Sequence, residues 1–137
     1  MPGVRRAEDF VAWQLCMELE DFVVAITANG RVAKDFDFCN QIRRSAGAAA
    51  PNIAEGFGRF TPREFARYLR IALSSLAETA THLERGRRRK YFSEEEQERA
   101  ESLCRRARFM TKRLLQSKLR QIESETREKN RRRKSSP

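Results

Sequence analysis

The stretch TPREFARYLRIALSSLAETATHLERGRRR, residues 61–89, decides the fold class. Thr61 offers an N-cap hydroxyl, Pro62 stands at the first helical position, where an N–H would be unpaired in any case, and Glu64 stands at the third. Phe65, Leu69, Ala72, Leu76 and Leu83 then follow the helical period to about residue 89, so they share one face. A helix of this kind buries one face and solvates the other. It needs partners.

Three further segments read the same way. From about 8 to 28, Phe10, Trp13, Met17 and Val24, with Leu19, Val23 and Ile26 beside them, keep the helical period, and Asn29-Gly30 stops it. From about 36 to 55, a second helix contains the run Ser45, Ala46, Gly47, Ala48, Ala49, Ala50. Such small side chains let a neighbour come close, near the short end of the usual ~8 to 10 Å between helix axes. Pro51 has no N–H to donate to the carbonyl of Gly47 and its ring crowds that carbonyl, so a kink is expected there, with a break as the alternative. Ser93 followed by Glu94, Glu95 and Glu96 starts the fourth helix, with three acids on the positive end of its dipole. Its core stripe is Leu103, Ala107, Met110 and Leu114, drifting to Leu115, Leu119 and Ile122. Past about residue 123 nothing is left to bury. The chain therefore reads as all-α: an antiparallel up-and-down four-helix bundle over residues 1–125, then a basic tail, 126–137, which can extend the fourth helix but is expected to be flexible in isolation.

Charge narrows the function. The 137 residues include 29 Lys and Arg against 19 Asp and Glu, a formal net charge of +10, and polyanions are the usual partners of such a field. The excess is confined to the later helices, because residues 1–42 hold four bases and seven acids. Cys16, Cys39 and Cys104 are odd in number and embedded in apolar helical patterns, so they read as reduced core thiols rather than disulfides or metal ligands. The N-terminal MPGVRRAEDF has no apolar signal-peptide core, and no run approaches the ~18 apolar residues of a membrane span. A cytoplasmic protein without membrane partners is expected.

Arg99, Arg106, Arg113, Arg120, Arg127 and Lys134 are spaced by seven residues without a miss. At ~1.5 Å per residue they form one drifting ridge about 50 Å long if the helix persists. Arg105, Arg108 and Lys112 widen it, and no acid lies between Ser102 and Ile122, so the ridge reads as a polyanion site rather than a solvated face. Arg85, Arg87, Arg88, Arg89 and Lys90, placed between helices three and four, are a second set of candidate phosphate contacts. The adjoining Tyr91 and Phe92 read as packing at the bundle end. Arg63, Arg67 and Arg70, with Arg59 upstream, are evenly balanced between phosphate and subunit contacts. Catalysis finds little support. His82 is the only histidine, no metal set stands at a recognised spacing, and Gly56-Phe57-Gly58 lacks the lysine of a phosphate-cradling loop. Glu55 and Glu78 are better explained as partners of arginines such as Arg43, Arg44 or Arg59. No enzyme, metal or cofactor is expected.

The segments Asn40-Gln41-Ile42-Arg43-Arg44-Ser45 and Asn52-Ile53-Ala54-Glu55-Gly56-Phe57-Gly58-Arg59 are followed by Phe65, Tyr68, Leu69, Ile71, Ala72, Ser75, Leu76 and Glu78. Over about residues 8–120 the chain resembles the bacterial four-helix-bundle family of 23S rRNA intervening-sequence proteins, to which the accessory variability determinants of diversity-generating retroelements are similar. Ala48-Ala49-Ala50 and Ser74-Ser75 depart from the family's usual residues. The resemblance implies a barrel-shaped homopentamer that binds RNA or DNA without enzymatic activity and, in retroelement members, a reverse transcriptase partner. It assigns Gln41, Arg43, Arg44, Asn52, Glu55, Gly56, Gly58 and Arg59 to fold and subunit contacts. The leading expectation is an accessory pentamer joining template RNA to a reverse transcriptase. The alternatives are an intervening-sequence protein without a polymerase partner and a structural oligomer docking an acidic protein.

Overall fold

A computed structural model describes residues 4–136. Val11–Ile26 form α1, Phe36–Phe57 α2, Pro62–Arg88 α3 and Glu94–Ser135 α4, with single 3-10 turns at Ala7–Asp9 and Arg31–Lys34. Among the described residues there is no strand.

The helix boundaries follow from their end groups. Thr61 Oγ1 accepts from the Glu64 N–H at 3.2 Å, and Ser93 and Glu96 cap each other reciprocally at 3.1 and 2.9 Å. Asp35 caps α2 by accepting from the Phe38 N–H at 3.2 Å. α3 closes with Lys90 in the left-handed region, φ 57°; Lys90 donates its N–H to Arg87 O and Tyr91 to Gly86 O, both at 3.0 Å. That double reversal turns Tyr91 back onto the bundle. The first helix is shorter than expected: Phe10 is extended at φ −76°, ψ 130°, so the residues before it form a separate turn, and α1 stops at Ile26. α2 passes unbroken through Pro51 to Phe57, which excludes the break.

Contacts give every interface its direction. α1 meets α2 at Thr27–Arg43, Glu20–Gly47 and Phe10–Phe57. α2 meets α3 at Gln41–Arg85, Ser45–Thr79 and Gly56–Tyr68. α3 meets α4 at Leu83–Gln97, Leu76–Cys104 and Phe65–Lys118. α4 returns to α1 at Arg99–Phe22 and Thr111–Cys16. In each pair one residue number rises as the other falls, so all four interfaces are antiparallel, and α4 closes the ring onto α1. This is the up-and-down four-helix bundle.

Leu19, Val23, Phe38, Ile42, Ile53, Leu69, Leu76 and Leu83 fill its centre. The predicted face of α3 is buried throughout. Two expected core positions are exposed, Val24 at 45% on α1 and Leu119 at 38% where α4 begins to outrun the bundle, and Trp13, Met17, Met110, Leu115 and Ile122 are only half-buried. All three cysteines are buried and unpaired, and burial pushes Cys16 up to about 12 and Cys104 to about 11, so both stay protonated thiols. No helix among the described residues is long and apolar enough to cross a membrane.

Helix length explains the tail. At ~1.5 Å per residue, α4 is about 60 Å long and α3 about 40 Å, so the last ~20 Å of α4 have nothing opposite them. The tail through Ser135 continues the helix, held by its own Glu123–Arg127 and Glu128–Arg132 pairs and by residues with good helical propensity.

Two buried features have measurable consequences. At Gly56 a Cβ would stand 2.8 Å from Tyr68 Cβ and 2.9 Å from a Phe65 ring carbon, whereas at Gly58 the nearest atoms lie 3.5 and 3.6 Å away. Gly56→Ala should therefore lower stability. Overpacking costs about 1–3 kcal/mol, more than the ~1 kcal/mol alanine contributes in a helix. Gly58→Ala should be neutral or slightly stabilising, both read from denaturant midpoints. His82 is 6% exposed, and its Nδ1 faces the Arg85 guanidinium at 2.9 Å. Arginine can only donate, so the imidazole is neutral with its proton on Nε2. Burial first, and Arg85 second, hold its pKa below the usual value. Stability from the neutral imidazole is complete above the unfolded pKa of about 6.5 and is lost as pH falls below it. Thermal melts from neutral to mildly acidic pH should show that loss, and His82→Gln should flatten it.

Candidate nucleic-acid interface

The two predicted basic sets have different surroundings. Arg85, Arg87 and Arg88 are not in a loop but in the last turns of α3, and most of the set is engaged within the chain. Arg85 donates to Gln41 Oε1 at 3.0 Å as well as to His82. Arg87 pairs with both oxygens of Glu101 and lies 3.6 Å from Glu84, and Arg88 meets Glu84 at 3.4 Å. Arg89 meets Asp35 at 3.0 Å and overhangs the rings of Phe38 and Tyr91. Tyr91 donates its hydroxyl to Asp35 at 2.6 Å and packs edge-on against Phe38, so the aromatics belong to the bundle end as expected. The Asp35 carboxyl is held below its usual pKa by that hydroxyl and then by the Phe38 N–H. Lys90 is exposed at the turn.

The α4 set is arranged otherwise. Arg99, Arg105, Arg106, Lys112, Arg113 and Arg120 are exposed and Arg108 is half-buried. None of these seven has a carboxylate within ion-pair distance among the described residues. The core stripe Leu103, Ala107 and Leu114 holds the opposite side of α4 against the bundle, which fixes the cations outward. Arg99, Arg106, Arg113 and Arg120 run along the shoulder next to α1. Glu18, Glu95 and Glu98 border its Arg99 end, and Asp9 lies near Arg113 and Arg120. Arg99 leans on Phe22, 4.8 Å from the ring centre. Past the bundle the pattern changes: Arg127 is paired with Glu123, while Lys134 is exposed with no carboxylate partner among the described residues.

Most residues assigned to fold or subunit contacts have intrachain partners. Gln41 Nε2 donates to Asp37 at 2.8 Å, Arg43 Nε to the buried Thr27 hydroxyl at 2.8 Å, and Asn52 Nδ2 to Ala48 O at 2.8 Å. Glu55 pairs with Arg59 at 2.7 Å, and Arg59 also donates to the Tyr68 hydroxyl at 2.9 Å. Gly56 is buried at the α2–α3 approach, Gly58 caps α2, and Arg44 is exposed. Arg63, Arg67 and Arg70 are exposed on α3, with Arg67 3.6 Å from Glu64 and stacked on Tyr68. Glu78 is exposed. Among the described residues no group of three or more His, Cys, Asp or Glu is placed to hold a metal ion.

Two residues carry no expectation from the sequence and stand out in the structure. Phe109 is 60% exposed beside the cations of α4, and Phe60, in the α2–α3 turn, is fully exposed. A signal for Phe109 exists in the sequence: an aromatic between Arg108 and Met110 lies off the stripe that buries Leu103, Ala107 and Leu114.

Residues 8–113 match the profile of a family described as 23S rRNA-intervening sequence protein. Comparison with curated proteins finds no match. Among solved structures, a protein of unknown function from the S23 ribosomal protein family of Bacteroides thetaiotaomicron is similar at a TM-score of 0.70 and 24% identity, over 77% of this chain and 98% of that chain. At that identity the likeness concerns the fold. Because the family profile spans the whole of α1, α2 and α3 and nearly half of α4, the chain belongs to the 23S rRNA-intervening sequence protein family.

Proposed function

We propose that this protein is a non-enzymatic nucleic-acid-binding protein that holds RNA or DNA by its phosphates along the exposed flank of α4. The supporting observation is the set Arg99, Arg105, Arg106, Arg108, Lys112, Arg113 and Arg120, which has no ion-pair partner among the described residues and includes six cations in a stretch without an acid. The paired arginines at the end of α3 illustrate the opposite case, cations whose charge is answered within the fold. An array left uncompensated at this density gains most from a partner that carries closely spaced negative charge and releases counterions on binding.

Family membership favours the intervening-sequence setting, without a polymerase partner, over the retroelement one. The reverse transcriptase rests on the resemblance alone. Assembly of copies is part of the proposal: the exposed Phe36, Phe60 and Val24 are apolar surface suited to subunit contact, and the resemblance gives the number as five.

Replacing Arg106, Arg113 and Arg120 together with glutamine should leave the helical circular-dichroism signal unchanged, because all three lie off the core. Affinity for a structured RNA, followed by fluorescence anisotropy, should fall without a change in sequence preference. The slope of log affinity against log salt should flatten by about 0.7 to 0.9 for every phosphate the variant no longer neutralises. An unchanged slope would assign the ridge to solvent or to a protein. For assembly, light scattering should give a multiple of the 16.0 kDa chain mass; a 16.0 kDa species at micromolar concentration removes the oligomer.

A further inference from the structure

Phosphate binding by cations leaves one feature of the α4 flank unused. Phe109 stands mostly in solvent in the middle of the acid-free stretch, on the side of α4 away from Ala107 and Leu114. Beside it a cleft of about 620 Å³ opens between α4 and the start of α1. Its apolar lining is Val11, Leu15, Phe109 and Met110, and its charged lining is Arg105, Arg106, Arg108 and Lys112. Val11 is itself 49% exposed, so the lining is open to an occupant. The volume falls within the ~300–1,000 Å³ of ordinary ligand sites.

The chemistry of the lining restricts that occupant. Four cations with no carboxylate at ion-pair distance among the described residues call for negative charge, while the ring and three aliphatic side chains call for a flat or apolar body. A nucleotide has both in one unit: the base offers a π-face to the ring, and the phosphates on either side reach guanidinium groups. Arg113, 6.0 Å from the Phe109 ring centre, lies on the next turn of the ridge and extends the phosphate track past the cleft. In the interior of a duplex both faces of each base are covered by its neighbours, so away from duplex ends this ring takes a base that is unpaired or extruded.

We infer that the cleft seats an unpaired nucleotide, its base stacked on Phe109 and its flanking phosphates held by Arg105, Arg106 and Lys112. The inference rests on the phosphate-binding reading and adds to it a preference for nucleic acid that offers an unpaired base.

The test compares a blunt RNA duplex with the same duplex carrying one bulged 2-aminopurine, at one salt concentration, by anisotropy and by 2-aminopurine fluorescence. The wild-type chain should bind the bulged duplex about tenfold more tightly and quench its fluorophore. Phe109→Ala should abolish both the preference and the quenching while keeping the affinity for the blunt duplex and its salt slope. Phe109→Trp should restore them. Phe109 is too exposed for these changes to disturb the core, and helical circular dichroism checks this. Equal binding of the two duplexes by the wild-type chain would overturn the stacking site and leave the phosphate ridge standing. Binding of neither would overturn both. If Phe109→Ala changes the molar mass in solution and leaves the preference intact, the cleft is a contact between copies and the inference fails.

Discussion

The close approach of α2 to α3 is the constraint on which the other contacts depend. It is set at one end by Gly56, where even a methyl group would meet Tyr68 and Phe65, and farther along by the buried hydrogen bond from Thr79 to Ser45 at 2.9 Å. Ser45 lies in the small-residue run, and Ala46, Ala49 and Ala50 of the same run are buried. Close packing of this kind leaves few rotamers to choose among and makes the register discrete, since a slip by one residue would put a side chain where only a hydrogen fits. With that hairpin in place, Phe38 is held at one end for Tyr91 and Phe92 to cover, and Phe57 and Phe65 at the other for Phe10. The bundle thus closes at both ends by aromatic contact, and α1 and α4 complete the ring.

The same arrangement divides the cations into two populations. At the end of α3, Arg87 and Arg88 meet Glu84 one turn back on the same helix, Arg87 also reaches Glu101 of α4, and Arg89 reaches Asp35, so their charge is largely answered inside the chain. Along α4 the acid-free stretch runs beside α1 and the turn before it, where Glu18 stands near Arg99 and Arg106, and Asp9 near Arg113 and Arg120, without closing an ion pair with them among the described residues. Surface ion pairs of the first kind contribute little to stability, about 0 to 1 kcal/mol each. Their consequence here is positional, since they remove cations from one end of the molecule and leave the field concentrated on the α4 flank. The exposed aromatic within that field is its least expected element, because a solvated face has no use for it.

Much of the architecture was legible because helix signals are local. Thr61-Pro62 and Ser93 through Glu96 marked two helix starts, the three- and four-residue spacing of α3 named its buried face, and the seven-residue spacing of arginines was visible without any fold. Tyr91 and Phe92 were also legible, as packing at a helix end. The sequence by itself thus determined four amphipathic helices, their order, and a strong excess of positive charge in the second half of the chain. It could not say which of the many arginines would be neutralised, because Arg89–Asp35 and Arg87–Glu101 join residues on different elements and no periodicity encodes them. Val24 and Leu119 fit the helical period but not the core, since burial depends on whether a neighbouring helix lies opposite, and that follows from crossing geometry and relative length. The cleft beside Phe109 has the same origin. Residues about a hundred positions apart, Val11 and Phe109, become neighbours only when α4 packs antiparallel on α1, so tertiary structure alone decided where an apolar surface would be left open among the cations.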